Sequence, residues 1–156
     1  MTTADTDIVF DRSLLGVDHE IGSFPVTREM IVKFAHSTGE TNPVYLDDEV
    51  GEASEHGSII APPTFCNMFV SGVSRPDIKL EFGDVSLFAG QAIECVGPVK
   101  PGDTLFAKTR LKDVYAKTGR SGKMVFQVWE TSFANQDDET VALVQESFVK
   151  RQRRPR

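Results

Sequence analysis

Pro62-Pro63-Thr64-Phe65-Cys66-Asn67-Met68-Phe69-Val70-Ser71-Gly72-Val73-Ser74 is the stretch on which the fold turns. Phe65, Met68, Phe69 and Val73 recur at helical spacing, and Cys66 and Val70 make the segment apolar nearly all round, the pattern of a buried helix. Proline is tolerated in a first helical turn, where its missing N–H would have had no partner. The spacing therefore predicts a central helix over about 62–74.

Downstream, the period changes from helical to alternating. Val85 to Val96, Leu105 to Tyr115, Lys123 to Phe133 and Thr140 to Val149 are rich in β-branched and aromatic residues, so each reads as a strand. Pro98 with Pro101-Gly102-Asp103, Gly119-Arg120-Ser121-Gly122 and Asn135-Gln136-Asp137-Asp138 supply the turns between them. Met124, Phe126 and Val128 share one face of their strand and Val125 and Trp129 the other, which predicts cover on both sides.

Upstream, Ile8 to Leu15 has roughly helical apolar spacing ended by Gly16, and Gly22 to Val26 reads as a short first strand. Thr27 caps a helix with Met30, Ile31, Phe34 and Ala35 on its apolar face and Gly39 after its end. Asn42-Pro43 forces a turn, and the acidic run Asp47 to Glu55 holds a further helical turn. A curved antiparallel sheet needs its apolar face covered, and segment 62–74 is the one apolar enough to do it. The expected fold is α+β, one domain over residues 1–150 with a basic, disordered tail at 151–156.

The composition excludes several functions. A formal charge of −6 argues against a duplex nucleic-acid surface. The start lacks a secretory signal, and no apolar stretch is long enough to span a bilayer, so a cytoplasmic location is expected. Cys66 and Cys95 are too few for a disulfide scaffold and read as reduced, buried fillers. His19, His36 and His56 stand apart without metal-ligand spacing, so neither metal nor cofactor is expected. Ser13, Ser71 and Ser74 have no nucleophile context. Gly119-Arg120-Ser121-Gly122-Lys123 lacks the full phosphate-loop spacing and joins two strands; it reads as a hairpin, its cations solvated, with a cofactor phosphate as the alternative.

One segment carries chemistry. Gly39-Glu40-Thr41-Asn42-Pro43-Val44-Tyr45-Leu46-Asp47, followed by Ala61-Pro62-Pro63-Thr64-Phe65, resembles the MaoC-like hydratases and, within them, the FAS1-like dehydratase subgroup. Gly90-Gln91, Gly97 to Leu105 and Asp113 to Gly122 resemble that subgroup in the same order, so the resemblance runs from about Leu14 to Lys150. It implies a hot-dog fold, a sheet wrapped around a long central helix. It also implies reversible addition of water to an enoyl thioester carried by coenzyme A or a carrier protein. In such a site a carboxylate and an imidazole activate the water, while N–H groups and the positive end of the central helix steady the thioester oxygen.

Three positions depart from the family pattern. Glu40 stands at its catalytic Asp, Tyr45 at its catalytic His, and Pro62-Pro63 at the His-Gly whose N–H faces the oxyanion. A phenol is a poor base at neutral pH, and proline has no N–H. The resemblance therefore implies a catalytically degenerate, substrate-binding subunit of a (3R)-hydroxyacyl-thioester dehydratase or enoyl-thioester hydratase. It would pair with a catalytic MaoC-like chain or with its own copy. Asn42, Pro63, Thr64, Phe65, Ser71 and Gln91 are expected to line the acyl surface. The alternatives are a hot-dog thioesterase, a self-sufficient hydratase using Glu40, Tyr45 or His56, and a non-catalytic acyl-thioester binder.

Overall fold

The structure, a computed structural model, describes residues 7–153. The alternating segments form a five-stranded antiparallel sheet in the order β1-β3-β4-β5-β2. β1 is His19–Pro25, β2 Val85–Cys95, β3 Thr104–Gly119, β4 Gly122–Ala134 and β5 Thr140–Arg151. Gly119 pairs with Gly122, so Arg120-Ser121 is a two-residue hairpin turn. Register shifts at Glu20/Gly22, Phe88/Gly90 and Leu111/Asp113 insert bulges, which increase strand twist and bend the sheet into a trough.

The helices around Ile31 and Val70 pack on the sheet face that carries Leu105, Phe133 and Val144. α1, Arg28–Ser37, is capped by Thr27, whose hydroxyl accepts from the Met30 N–H, and it buries Ile31 and Ala35. α2, Asp48–Ala53, is capped by the Asp47 carboxylate. α3 is Asn67–Val70, four residues in place of the thirteen expected over 62–74. Before it, the Phe65 N–H donates to the Pro62 carbonyl and the Asn67 N–H to the Thr64 carbonyl, a turn tighter than α-helix. After it, Ser71 is extended and Gly72 has φ +85°.

The segment keeps its central position: Phe65, Cys66 and Val70 are buried in one cluster with Leu105, Phe133 and Val144. Helical periodicity was present but helix was not, because residues 71–84 find better partners across the sheet. Ile78 and Leu80 are buried there and Arg75 pairs with Glu146.

The expected helix over 8–15 is also replaced. Ile8 and Phe10 are buried, yet only Arg12–Leu14 form a 3-10 turn. The Asp11 N–H donates to the Ile78 carbonyl and the Glu81 N–H to the Val9 carbonyl, so this stretch lies alongside 78–81 and closes a second core cluster around Leu111, Val125 and Trp129. β4 is covered on both faces over Val128–Thr131, as its composition predicted. Cys66 is buried, but Cys95 is exposed near the end of β2, which corrects its reading as a buried filler. β2 is an edge strand, with Leu87 44% and Phe88 58% exposed.

Arg151 closes β5 and the Arg153 N–H donates to Asp84, so residues 151–153 of the basic run expected as a tail meet β5 and Asp84. Residues 154–156 of that tail lie outside the described residues, as do residues 1–6 of the expected domain. No helix among the described residues is long and apolar enough to cross a membrane.

Candidate functional site

The loop that leaves α1 is built by short-range polar contacts. The Glu40 N–H donates back to the Ala35 carbonyl at 2.9 Å past Gly39, which has φ +74°. The Asn42 side chain accepts from the Val44 N–H at 3.1 Å, and Pro43 supplies the fixed φ of the 3-10 turn Pro43–Tyr45. The Asp47 N–H then donates to the Pro43 carbonyl at 2.8 Å. Asn42-Pro43 thus has a structural duty, a cap and a turn, which holds Glu40 and Tyr45 half-buried at either end.

A second set of contacts brings the proline segment to this loop. The Ile60 N–H donates to the Val44 carbonyl at 3.2 Å, and the Ala61 N–H donates to the Val99 carbonyl at 2.8 Å. α2 can approach this closely because Gly51 has no side chain: a Cβ there would stand 2.3 Å from the Ile59 nitrogen. Pro62 is buried, while Pro63 and Thr64 are exposed.

Phe65 turns inward with only 1% exposed. Its ring meets Phe34 of α1 and Phe69 of α3 edge-on, each at 5.5 Å between centroids. Phe69 in turn stacks on Phe24 of β1 at 4.6 Å. These rings form an apolar wall that joins α1, the proline segment, α3 and β1.

The structure thus brings Asn42, Tyr45, Pro63, Thr64 and Phe65 into neighbouring segments. Gln91 joins them from the sheet, its amide donating to Asn67 Oδ1 at the start of α3 across 2.7 Å. Ser71 caps the other end of α3 and is exposed.

Among the described residues neither the Glu40 nor the Tyr45 side chain makes a hydrogen bond, and the loop is closed by the Glu40 backbone and by Asn42. The positive end of a long helix was expected at the proline segment, but a four-residue α3 has too few aligned peptides to supply it. His56 is half-buried with Nε2 3.7 Å from Glu55, and the Nε2 of His19 is buried without a partner.

Phe24, Phe34 and Phe69 were legible only as core residues. Their place in the wall depends on β1 and α3 meeting, which no local pattern reports.

Residues 13–144 match the family described as the FAS1-like, dehydratase domain region. The UPF0336 protein of Streptomyces griseus is 30% identical over 118 residues, which span 72% of this chain and 78% of that one. Among solved structures, the MaoC-like dehydratase of Rhodospirillum rubrum superposes with a TM-score of 0.70 at 20% identity, covering 94% of this chain and 99% of that one. The Mycobacterium tuberculosis HadBC complex, a (3R)-hydroxyacyl-ACP dehydratase, gives 0.69 at 21% identity, covering 89% of this chain and 98% of the other. At such identities the structures speak for the fold, which is the hot-dog fold. With the match extending over most of its length, the chain belongs to the FAS1-like dehydratase region family, hydratases and dehydratases of the hot-dog fold.

Proposed function

We propose that this chain is the acyl-binding subunit of a heteromeric (3R)-hydroxyacyl-thioester dehydratase or enoyl-thioester hydratase, and that a second hot-dog chain with an intact Asp and His activates the water. The observation that carries the reading is the Glu40–Tyr45 loop. Its frame is kept by Asn42 and Pro43, while the groups at the two chemical positions are a longer carboxylate and a phenol. A carboxylate moved by about 1 Å can cost on the order of a hundredfold in rate.

The rest of the site suits binding. The half-buried rings of Phe24, Phe34 and Phe69, packed on the buried Phe65, offer apolar surface to an acyl chain. β2 leaves unpaired backbone and the exposed Leu87 and Phe88 along one edge, a template for another strand. That HadBC is a complex supports pairing with a different chain.

The test is expression of the chain alone and beside candidate MaoC-like partners, with hydration followed by loss of enoyl absorbance. The expected outcome is a stoichiometric complex that turns over and a lone chain that does not. A second reading, self-sufficient hydration, is favoured by one fact: the half-buried Glu40 carboxylate has no hydrogen-bond partner among the described residues. Robust turnover by the lone chain, abolished by Glu40→Ala, decides for it.

A further inference from the structure

Segment 71–84 packs on the sheet through Ile78 and Leu80, which join the cluster of Leu111, Val125 and Trp129. On the same sheet face Trp129 pairs in register with Glu146, and Gln127 with Phe148. Arg75 reaches across to Glu146 and to the Trp129 and Phe148 rings. Segment and sheet do not close fully. Between them lies a cavity of about 220 Å³, lined by Trp129 and Phe148 from the sheet and by Ile78 and Leu80 from the segment.

The polar part of the lining is rich in donors. Arg75 gives one terminal N–H to Glu146, while its Nε is buried without a hydrogen-bond acceptor. A buried donor left unpaired costs free energy, and few native ones are left so. Gln127 turns its Oε1 towards the Trp129 Nε1 at 3.4 Å, which leaves its own N–H groups to donate. Ser86 adds a hydroxyl and Lys150 an ammonium. Asp77 also lines the cavity, but the amide and the ammonium of Lys79 hold its carboxylate at 2.9 and 3.1 Å. Of the lining groups and their ion-pair partners, Arg75, Lys79 and Lys150 thus stand against Asp77 and Glu146, a surplus of one positive charge.

We propose that this cavity binds a small monocarboxylate with a flat apolar body, as the free acid and not as a thioester. One carboxylate balances the surplus charge, and the Arg75 Nε–H and the Lys150 ammonium offer it charge-assisted hydrogen bonds. The indole and phenyl rings suit a planar hydrocarbon. At about 220 Å³ the space is smaller than drug-sized sites of roughly 300–1,000 Å³, which limits the body to about one ring. A phosphate ester would bring more negative charge than the lining balances. The site lies apart from the Glu40–Tyr45 loop: Gln91, which holds Asn67 at the acyl surface, pairs with Glu146, and the cavity begins beyond the Arg75–Glu146 pair. The inference therefore does not depend on the hydratase reading.

The probe is benzoate, and Trp129, the single tryptophan, reports on it from the cavity wall. Titration of the chain should change the tryptophan fluorescence saturably, with calorimetry giving the same dissociation constant, and binding should weaken as salt rises. Benzyl alcohol, which keeps the ring and loses the charge, should bind at least tenfold more weakly. Lys150→Met removes one cation, and Arg75→Lys keeps a cation for Glu146 while removing the Nε–H. Each should weaken benzoate about tenfold, as the loss of a hydrogen bond to a charged group implies. Circular dichroism checks that each variant is folded.

No saturable response overturns the proposal, as does benzyl alcohol binding as tightly as benzoate. An affinity unchanged in every folded variant places the binding elsewhere and overturns it too. Inorganic phosphate displacing benzoate at equal concentration would reduce the site to an unselective cation, and the carboxylate class would fall.

Discussion

Arg75 and Glu146 meet as an ion pair whose side chains are 15% and 12% exposed, with the Arg75 guanidinium 5.4 Å from the Phe148 ring centroid and 5.8 Å from that of Trp129. The pair ties segment 71–84 to β5. Removing one partner leaves a buried charge without its counterion, so Arg75→Met is expected to cost about 3 kcal/mol. Urea unfolding followed by Trp129, the single tryptophan, measures it. Arg75→Met/Glu146→Leu should recover most of the loss; a double variant as unstable as the single one contradicts the pairing.

Burial disfavours the charge of Glu130, yet hydrogen bonds from Lys112 and Arg110, with their positive charge, outweigh it and hold the carboxyl below its ordinary range. A carboxylate depressed in the folded state contributes stability above its unfolded pKa, and that contribution is lost as pH falls through the folded value. The urea midpoint should therefore decline with acid, and Glu130→Gln should flatten that decline while lowering stability at neutral pH. An equally steep acid limb in the variant would assign the decline elsewhere.

The two cysteines should behave as opposites. Burial, with a smaller contribution from Cys95, pushes the Cys66 thiol up to about 12, and Cys95 is exposed. A thiol reagent is expected to modify Cys95 quickly and Cys66 only on unfolding, with mass spectrometry locating the adduct. Because the folded pKa is raised, its stabilising contribution is complete below the unfolded pKa and is lost as pH rises towards about 12. Cys66→Ala should reduce the alkaline loss.

Repair of the site is expected to need three changes. Glu40→Asp/Tyr45→His restores the family's carboxylate and imidazole, yet Pro63 still offers no N–H to the thioester oxygen. The loss of one such donor typically costs about 10²–10³ in rate. Adding Pro63→Gly should raise enoyl hydration above the double variant, provided the turn before α3 tolerates the freedom of glycine. Full family-like turnover by the double variant would show that Pro63 is harmless.

The β2 edge gives a prediction about assembly. Phe88→Lys places a charge on the exposed edge, where lysine discourages strand addition. Sedimentation should show weaker association than in the unaltered chain, while the circular dichroism spectrum stays the same.

Strand positions were legible because alternation is local: a side chain's face follows from its neighbour's, and the turn residues between strands act within a few residues. α1 was legible for the same reason, since Thr27 and Gly39 mark its ends within its own sequence. The central helix was over-read. Phe65, Met68, Phe69 and Val73 keep the helical period, but Arg75 finds Glu146 seventy-one residues away, and that pairing draws the chain straight after Val70. At the site, the Glu40–Tyr45 frame was readable from Asn42-Pro43, whereas the Gln91–Asn67 bond and the phenylalanine wall needed the sheet to be folded first.

The short α3 also sets where the molecule breathes. Residues 71–84 cover half of the trough, yet their amides have no helical ladder; those of Lys79, Glu81 and Asp84 are held by an Asp77 side chain and by carbonyls of the N-terminal segment and β5. Such a strap can lift by breaking the Arg75 pair and exposing Ile78 and Leu80, without unzipping a strand. Amide protons there should exchange with solvent through local openings while β3 to β5 stay protected. The floor of the trough is then reachable by a transient opening from above, by a route separate from the Glu40–Tyr45 loop.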